Sequence, residues 1–200
     1  MNKPFSQACE NNKKSILAKL SLAFTQSKQI LEIGSGTGQH AVYFAKHLPD
    51  LNWQTSDLLM NHQGINQWID QFPVSNIQRP VAIDLNTLWN ISPLNAIIDG
   101  IYTANTLHII SWSLVIEFFK GIASHLAPEG IICIYGPLNY KGQYTSNSNA
   151  SFDLWLKERD INSGIRDFEA IVELAKKTNL QLINDHEMPA NNRLLVFIKK

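Results

Sequence analysis

The sequence predicts an α/β fold: a seven-stranded, mostly parallel sheet with helices on both faces and an antiparallel hairpin at its C-terminal end. Three observations predict it. Apolar runs of strand length alternate with segments whose apolar residues recur at helical spacing, the pattern of a sheet wound with crossover helices. The first clear strand, Gln29-Ile-Leu-Glu-Ile33, runs directly into a glycine turn and then a helix. The last two apolar runs, residues 180–183 and 193–198, stand too close for a helix between them, so they pair antiparallel.

Taken in order, residues 1–11 show no clear period, and Ile16, Leu17, Leu20, Ala23 and Phe24 then mark an amphipathic helix. Ile30, Leu31 and Ile33 form the short apolar run that fills a sheet covered on both faces. After the turn, Ala41, Val42, Phe44, Ala45 and Leu48 keep helical spacing until Pro49-Asp50 stops the run. A second strand ends at Asp57. Ile65, Trp68, Ile69 and Phe72 mark the next helix, residues 80–86 read as a third strand, and residues 99–108 hold the fourth strand and its exit. The helix over 113–126 ends at the Pro128-Glu-Gly130 turn before a fifth strand at 131–135. Residues 136–166 break the rhythm, being polar up to a short helix at Phe152, Leu154 and Trp155, and so long a polar excursion is commonly a functional loop. Phe168, Ile171, Val172, Leu174 and Ala175 give the last helix. Residues 1–200 read as one domain, with 138–166 as an insertion or lid on the substrate side; residues 1–12 and 138–166, neither with the period of a core element, are expected to cover the site together.

Gly34, Gly36 and Gly38 leave alternate turn positions without side chains, so backbone can approach a ligand closely while the N–H groups of the next helix face it. The dinucleotide fingerprint G-x-G-x-x-G/A needs a small residue where this chain has Gln39. An acid, Glu32, stands two residues before the first glycine; a carboxylate there suits an ammonium and repels a pyrophosphate. Asp57 lies about 20 residues past the last glycine, where an acid binds ribose hydroxyls and where it equally suits a helix N-cap. Asp84 ends the third strand. Polar groups at consecutive strand ends point to a ligand at the carboxyl edge of the sheet.

The bulk numbers narrow the function. Two hundred residues suit one domain able to bury about 70% of the unfolded chain's surface. Lys and Arg number 17 and Asp and Glu 17, which leaves no electrostatic footprint for nucleic acid. Cys9 and Cys133 stand far apart without any zinc spacing and read as reduced thiols of a cytoplasmic protein; no metal is expected. No signal peptide opens the sequence, and no apolar run approaches the roughly 20 residues of a membrane helix. The expectation is a soluble monomer or homodimer with neither nucleic acid nor membrane as partner.

The turn Glu32-x-Gly34-x-Gly36-x-Gly38 resembles the first motif of the class I S-adenosylmethionine-dependent methyltransferases, and the order of strands resembles their seven-stranded, Rossmann-like layout. Pro4-Phe-Ser-Gln-Ala-Cys-Glu-Asn-Asn12, Leu31-Glu-Ile-Gly-Ser-Gly-Thr-Gly-Gln-His40, Trp53-Gln-Thr-Ser-Asp57, Tyr135-Gly-Pro137, Ser148-Asn-Ala-Ser-Phe-Asp153, Gly164-Ile-Arg-Asp167 and Met188-Pro-Ala-Asn-Asn192 resemble, in order, the landmarks of one methyltransferase-like family carried as a domain of unknown function. The resemblance spans nearly the whole chain. It implies an S-adenosylmethionine-dependent methyltransferase, with S-adenosylhomocysteine as product, acting on a small-molecule acceptor that it does not name. The family commonly has Glu-Arg-Asn at the first helix, whereas this chain has Glu10-Asn11-Asn12. A guanidinium and a short amide are not interchangeable, so a role carries over to Asn12 and not to Asn11.

By the same resemblance, Glu32 and the backbone of Gly34, Ser35, Gly36 and Gly38 hold the methionine end of the cofactor, Asp57 and Leu58 the ribose, and Asp84 with the Leu85 backbone the adenine edge. Carboxylates accept from hydroxyl pairs and exocyclic amines, and backbone N–H groups donate to ring nitrogen. His40 belongs to this turn and also suits a structural place on the first crossover helix. Asn105 and His108 follow the fourth strand on the acceptor side, Asn105 as a cofactor and catalytic contact and His108 as a proton acceptor; a capping Asn and a packed His are the alternative. Asn12, Tyr135, Asn149, Arg166, Asn191 and Asn192 are the candidates for the acceptor pocket, with simple turn formation the alternative for the Asn-rich stretches. Because a sulfonium methyl is already activated, in-line placement supplies most of the rate and few residues need be catalytic. Two functions compete: a non-catalytic protein that binds S-adenosylmethionine or S-adenosylhomocysteine, and a nicotinamide-dependent oxidoreductase, which Gln39 and the terminal hairpin disfavour.

Overall fold

The computed structural model describes residues 3–91, 94 and 96–200. Helix α1 (Gln7–Ala23) leads into β1 (Gln29–Ile33), followed by α2 (Gln39–His47), β2 (Asn52–Asp57), α3 (His62–Gln71), β3 (Ile77–Ala82) and β4 (Ile98–Ala104). The second half holds α4 (Trp112–His125), β5 (Leu126–Asn139), α5 (Asn147–Arg159), β6 (Arg166–Asp167), α6 (Phe168–Lys177), β7 (Leu180–Met188) and β8 (Asn192–Lys199). The sheet order is β3-β2-β1-β4-β5-β8-β7, parallel from β3 through β5 and antiparallel where β8 lies between β5 and β7. The fold is thus mixed α/β, a central sheet of parallel strands with a C-terminal antiparallel pair. Two-residue β6 adds to the seven expected strands, pairing off this path with Leu138 and Asn139 of β5.

Side chains along the inner strands divide between two cores. Ile30, Tyr102, Cys133 and Val196 pack with Ile16, Leu20, Phe44 and Ile65 from α1, α2 and α3; Leu31, Ile101, Ile132 and Phe197 pack with Phe118, Phe119 and Ile171 from α4 and α6. Successive strand residues face opposite sides, so near-continuous apolar strands are what a sheet covered on both faces demands. The chain leaves β1 toward β2 and β3 and returns to β1's other side as β4. That reversal of strand order opens a crevice at the carboxyl edge beside β1.

Several boundaries differ from the sequence expectation. Helix α1 begins at Gln7, inside the segment without a period, and the Ser6 hydroxyl caps it by accepting from the Cys9 N–H. Its buried face opens with Asn12 before Ile16 and Leu20, so the first turns carry no apolar repeat to read. Met1 and Asn2 lie outside the described residues. Strand β3 covers Ile77–Ala82 rather than 80–86. It is an edge strand, and its register shifts where Arg79 and Pro80 together face Thr55, an irregularity that tolerates a missing N–H. Gln54 Nε2 and Thr55 Oγ1 donate to the Arg79 and Gln78 carbonyls there, at 2.7 and 2.8 Å. Strand β5 runs from Leu126 to Asn139, so the Pro128-Glu-Gly130 turn is an irregularity within it and Gly136 joins the sheet. The rest of 138–166 is anchored by buried Asp153, which accepts from the Ile165 N–H at 2.6 Å, the Tyr144 hydroxyl at 2.7 Å and Lys157 Nζ at 2.6 Å.

Candidate functional site

A cavity of about 460 Å³ opens at the carboxyl edge of the sheet, between the exits of β1, β2, β3 and β4. The glycine turn lines one side of it through Gly34, Ser35 and Gly36. Gly36 has φ +56, and a Cβ built on it meets no protein atom within 4 Å, so the backbone itself is the surface presented there. Gly38 is not on the wall. It caps α2 at φ +87, and a Cβ there comes within 3.0 Å of Ile65 Cα, so this glycine serves helix packing against α3 instead of the cofactor contact read from the sequence.

Three carboxylates reach the cavity from successive strand ends. Glu32, 2% exposed, accepts from Trp53 Nε1 at 3.1 Å and from Ser35 Oγ at 3.0 Å, both through Oε2. Burial pushes its carboxyl up to about 7 against those two bonds, and the nearby Asp57 charge adds to the rise. Asp57 Oδ2 accepts from the Gly36 N–H at 2.7 Å, while Oδ1 accepts from the Leu58 N–H and Asn61 Nδ2, each at 2.7 Å. Asp84 accepts from the Asn86 N–H and Nδ2 at 2.9 Å, which hold its carboxyl below the usual range; Leu58 and Leu85 stand beside these acids. Among the described residues no Lys or Arg lines the cavity, and its imidazole, His40, is pulled down to about 4 by burial and is neutral at pH 7. Such a wall suits a ligand that brings an ammonium, hydroxyls and an amine, and it offers a pyrophosphate no cation.

An apolar part of the wall is built from Ala104 at the end of β4, Ile109 and Ile110 of the loop after it, and Leu114 of α4. Asn105 heads that loop at φ +57, its N–H donating to the Tyr135 carbonyl at 2.8 Å. A third wall comes from the start of α1, where Ser6 and Cys9 line the cavity. Gln39 holds it: the Ser6 N–H donates to Oε1 at 2.5 Å, and Nε2 donates to the Ser6 carbonyl at 3.3 Å and to Glu10 Oε1 at 2.8 Å. His40 Nε2 meets Asn12 Oδ1 at 2.7 Å, and its Nδ1 faces the Tyr102 hydroxyl at 3.3 Å. Gln39 and His40 therefore join the glycine turn to Glu10 and Asn12, whereas Asn11 points to solvent.

Of the acceptor-side candidates, Asn105 lines the cavity and the others do not. His108 is 5% exposed, edge-on to Phe152 of α5 with ring centroids 5.4 Å apart, and close enough to Gly136 that a Cβ there comes 3.5 Å from Nδ1. Burial, aided by the Arg166 charge, lowers its pKa to about 4. Arg166 directs its donors to backbone, Nε to the Leu107 carbonyl at 2.9 Å and Nη2 to the Ile110 and Asn162 carbonyls. Asn149 Nδ2 donates to Thr145 Oγ1 at 2.9 Å and to the Asn191 carbonyl at 3.1 Å, which ties α5 to the β7–β8 turn. Asn191 Nδ2 donates to Ser148 Oγ, and Asn192 Nδ2 to the Pro189 and Ala190 carbonyls. Asn12 and Tyr135 are buried side by side; burial raises the Tyr135 phenol and a hydrogen bond with Asn12 opposes the rise.

The sequence pattern does not mark Thr37, Asn61, Thr106 or the apolar wall. Thr106 and Ile109 follow the same strand-end rule that singles out Asn105, so their position carries a signal. Ser6 and Cys9 fall within residues 1–12, the segment expected to cover the site, and Gln39, more than 25 residues away, holds Ser6 there.

The fold is shared with solved structures of much larger proteins. An O-methyltransferase family 2 protein from Planctomyces limnophilus, in complex with apigenin, matches with a TM-score of 0.81 at 16% identity, over 96% of this chain and 58% of that one. Human N-acetylserotonin methyltransferase, in complex with S-adenosylmethionine, matches with a TM-score of 0.78 at 15% identity, over 96% and 53%. A pericyclic reaction enzyme matches with a TM-score of 0.73 at 17% identity, over 90% and 47%. The chain thus spans about half the length of these proteins, and identities this low establish the fold alone. A family model described as a protein of unknown function, DUF938, matches residues 3–199, and the chain belongs to that family.

Proposed function

We propose that the chain is an S-adenosylmethionine-dependent methyltransferase acting on a small-molecule acceptor. The observation that carries the reading is the character of the cavity: carboxylates from three successive strand ends around a turn with glycine at alternate positions, and no cationic side chain on the wall among the described residues. The residues fit this cofactor. Gly36 leaves open space, Glu32 accepts through Oε2 alone among the described residues, and a cation beside it favours its ionised form.

When bound, S-adenosylmethionine supplies a methyl group already activated on a sulfonium. The chain's part is to hold and to place. Glu32 with the Gly34, Ser35 and Gly36 backbone takes the amino acid end, Asp57 beside Leu58 accepts from the ribose hydroxyls, and Asp84 with the Leu85 N–H meets the adenine edge. Ile109, Ile110 and Leu114 keep water from the apolar side. Asn105 is the acceptor-side contact, and most of the rate comes from proximity and alignment. His108 is neutral at pH 7 but turned against Phe152, so its role is to shape the loop after β4 and not to take a proton.

A second reading, binding of the cofactor without methyl transfer, is favoured by one observation: apart from the carboxylates and His40, no base stands on the wall among the described residues. Incubation with methyl-labelled S-adenosylmethionine and a metabolite extract separates the two. Label transferred to a small molecule supports the methyltransferase. Calorimetric binding of S-adenosylhomocysteine with no labelled product supports binding alone, and absence of both removes both readings.

A further inference from the structure

The wall formed by the start of α1 is held differently from the others. None of residues 3–11 is buried, whereas Asn12, Ile16, Leu20 and Phe24 all are. The segment is fixed by surface contacts at two points. At the outer one, Lys3 Nζ stands 3.3 Å from the centroid of the Trp68 ring and bonds Gln71 Oε1, and the Pro4 carbonyl accepts from Trp68 Nε1 at 2.7 Å. The Pro4 ring lies on Gly64, where a Cβ comes within 2.6 Å of Pro4 Cγ. At the inner one, Gln39 grips Ser6 by both its N–H and its carbonyl and reaches on to Glu10. At the inner point, Ser6 and Cys9 face the cavity. A segment with no fully buried side chain is released at lower free energy than the core, and Asn12, bonded to His40, marks where the core-anchored part of α1 begins.

We infer that Gln39 is a positioning residue: with the Trp68 latch it fastens residues 3–9 as a strap that completes the cavity and swings aside, about Asn12, when a ligand passes. Gln39 is not itself on the cavity wall and acts through Ser6. This gives a reason for a long amide at the place where a dinucleotide-binding turn has a small residue. The small residue there permits close helix–strand packing; the glutamine reaches across the turn to the strap.

Cys9 reports the strap directly. Its half-buried thiol lies on the cavity wall, while Cys133 is fully buried in the sheet. The probe is dithiobis-nitrobenzoate applied to the unliganded protein, read as the rate at which each thiol reacts. Gln39→Ala and Trp68→Phe, the second losing the N–H that holds Pro4 and part of the ring under Lys3, should each raise the Cys9 rate about fivefold or more, the scale set by losing one or two hydrogen bonds. Cys133 should stay unreactive. Cys9 rates equal to wild type in both variants overturn the strap. If Gln39→Ala also exposes Cys133, that variant is unfolded and Trp68→Phe alone decides. Protection of Cys9 by S-adenosylhomocysteine rests on the proposed function, whereas the unliganded comparison does not. Faster labelling in the variants without protection by S-adenosylhomocysteine upholds the strap and removes the cofactor.

Discussion

The Gly36 N–H donates to Asp57 Oδ2 at 2.7 Å, a bond that ties the turn after β1 to the end of β2. The other Asp57 oxygen accepts from the Leu58 N–H and from Asn61. Asp57 caps neither helix that follows β2; its bonds fix the turn locally, and with three of about four acceptor sites filled it retains capacity toward the cavity.

Replacing that side chain should be felt twice. Asp57→Ala removes three bonds to a mostly buried carboxylate, and we expect a loss of roughly 2–4 kcal/mol in urea unfolding after relaxation. Affinity for S-adenosylhomocysteine should fall more than about tenfold, the equivalent of one charge-assisted bond. Calorimetry showing reduced stability with unchanged affinity leaves Asp57 as a structural tie and nothing more.

Glu32 makes binding depend on pH. Its carboxyl, raised to about 7 by burial, keeps its proton below that pH and loses it above. A cationic ligand prefers the carboxylate, so affinity for S-adenosylmethionine should climb between about pH 6 and 8 and then level, with a proton released on binding near neutrality. In the free protein the sign is opposite. A folded pKa above the unfolded one gives a stability contribution that is full below the unfolded value of about 4.3 and is lost as pH rises through about 7. Glu32→Gln should flatten both profiles; a wild-type affinity that does not change with pH contradicts the assignment.

Two glycines of one turn should respond differently. Gly38→Ala places a methyl against the Ile65 backbone at positive φ and should cost about 1–3 kcal/mol, or roughly 2–4 °C in Tm per kcal/mol. Gly36→Ala is also at positive φ but puts its methyl into open space, so it should cost less stability than Gly38→Ala and more ligand affinity. Equal losses of affinity in both variants would place Gly38 at the ligand after all.

The strand, turn and helix over Gln29–His47 were legible because every residue that makes them is contiguous and the glycines mark the break between periods. The strand-end acids were legible for a related reason, since topology brings successive strand ends together without any need to know a side chain's partner. Polar residues outside those ends were not. Arg166, Asn149 and Asn191 carry the same donors whether they bind a ligand or a carbonyl of their own chain, and which one holds depends on contacts 40 to 60 residues away. The packing of Gly38 on Ile65 was hidden because a glycine required by a neighbouring helix looks, in sequence, like one required by a ligand. The start of α1 was hidden because its buried face begins with an asparagine.

Arg166 offers a test of that kind of fastening. Arg166→Lys cannot reproduce a fork that reaches the Leu107, Ile110 and Asn162 carbonyls together. The Ile109 and Ile110 amides, which bond the Thr106 carbonyl at 3.0 and 3.3 Å, should then exchange hydrogen about tenfold faster or more by local opening. Unchanged exchange at both would show that the apolar wall holds itself.

The cavity's ligand is tested most directly by calorimetric titration of the wild-type chain with S-adenosylhomocysteine, S-adenosylmethionine and NAD in turn. We expect one site per chain for each sulfur compound, a proton released near pH 7, and no heat from NAD. Failure of both sulfur compounds to bind, or binding of NAD in their place, would contradict a cavity built from Glu32, Asp57 and Asp84 for this cofactor.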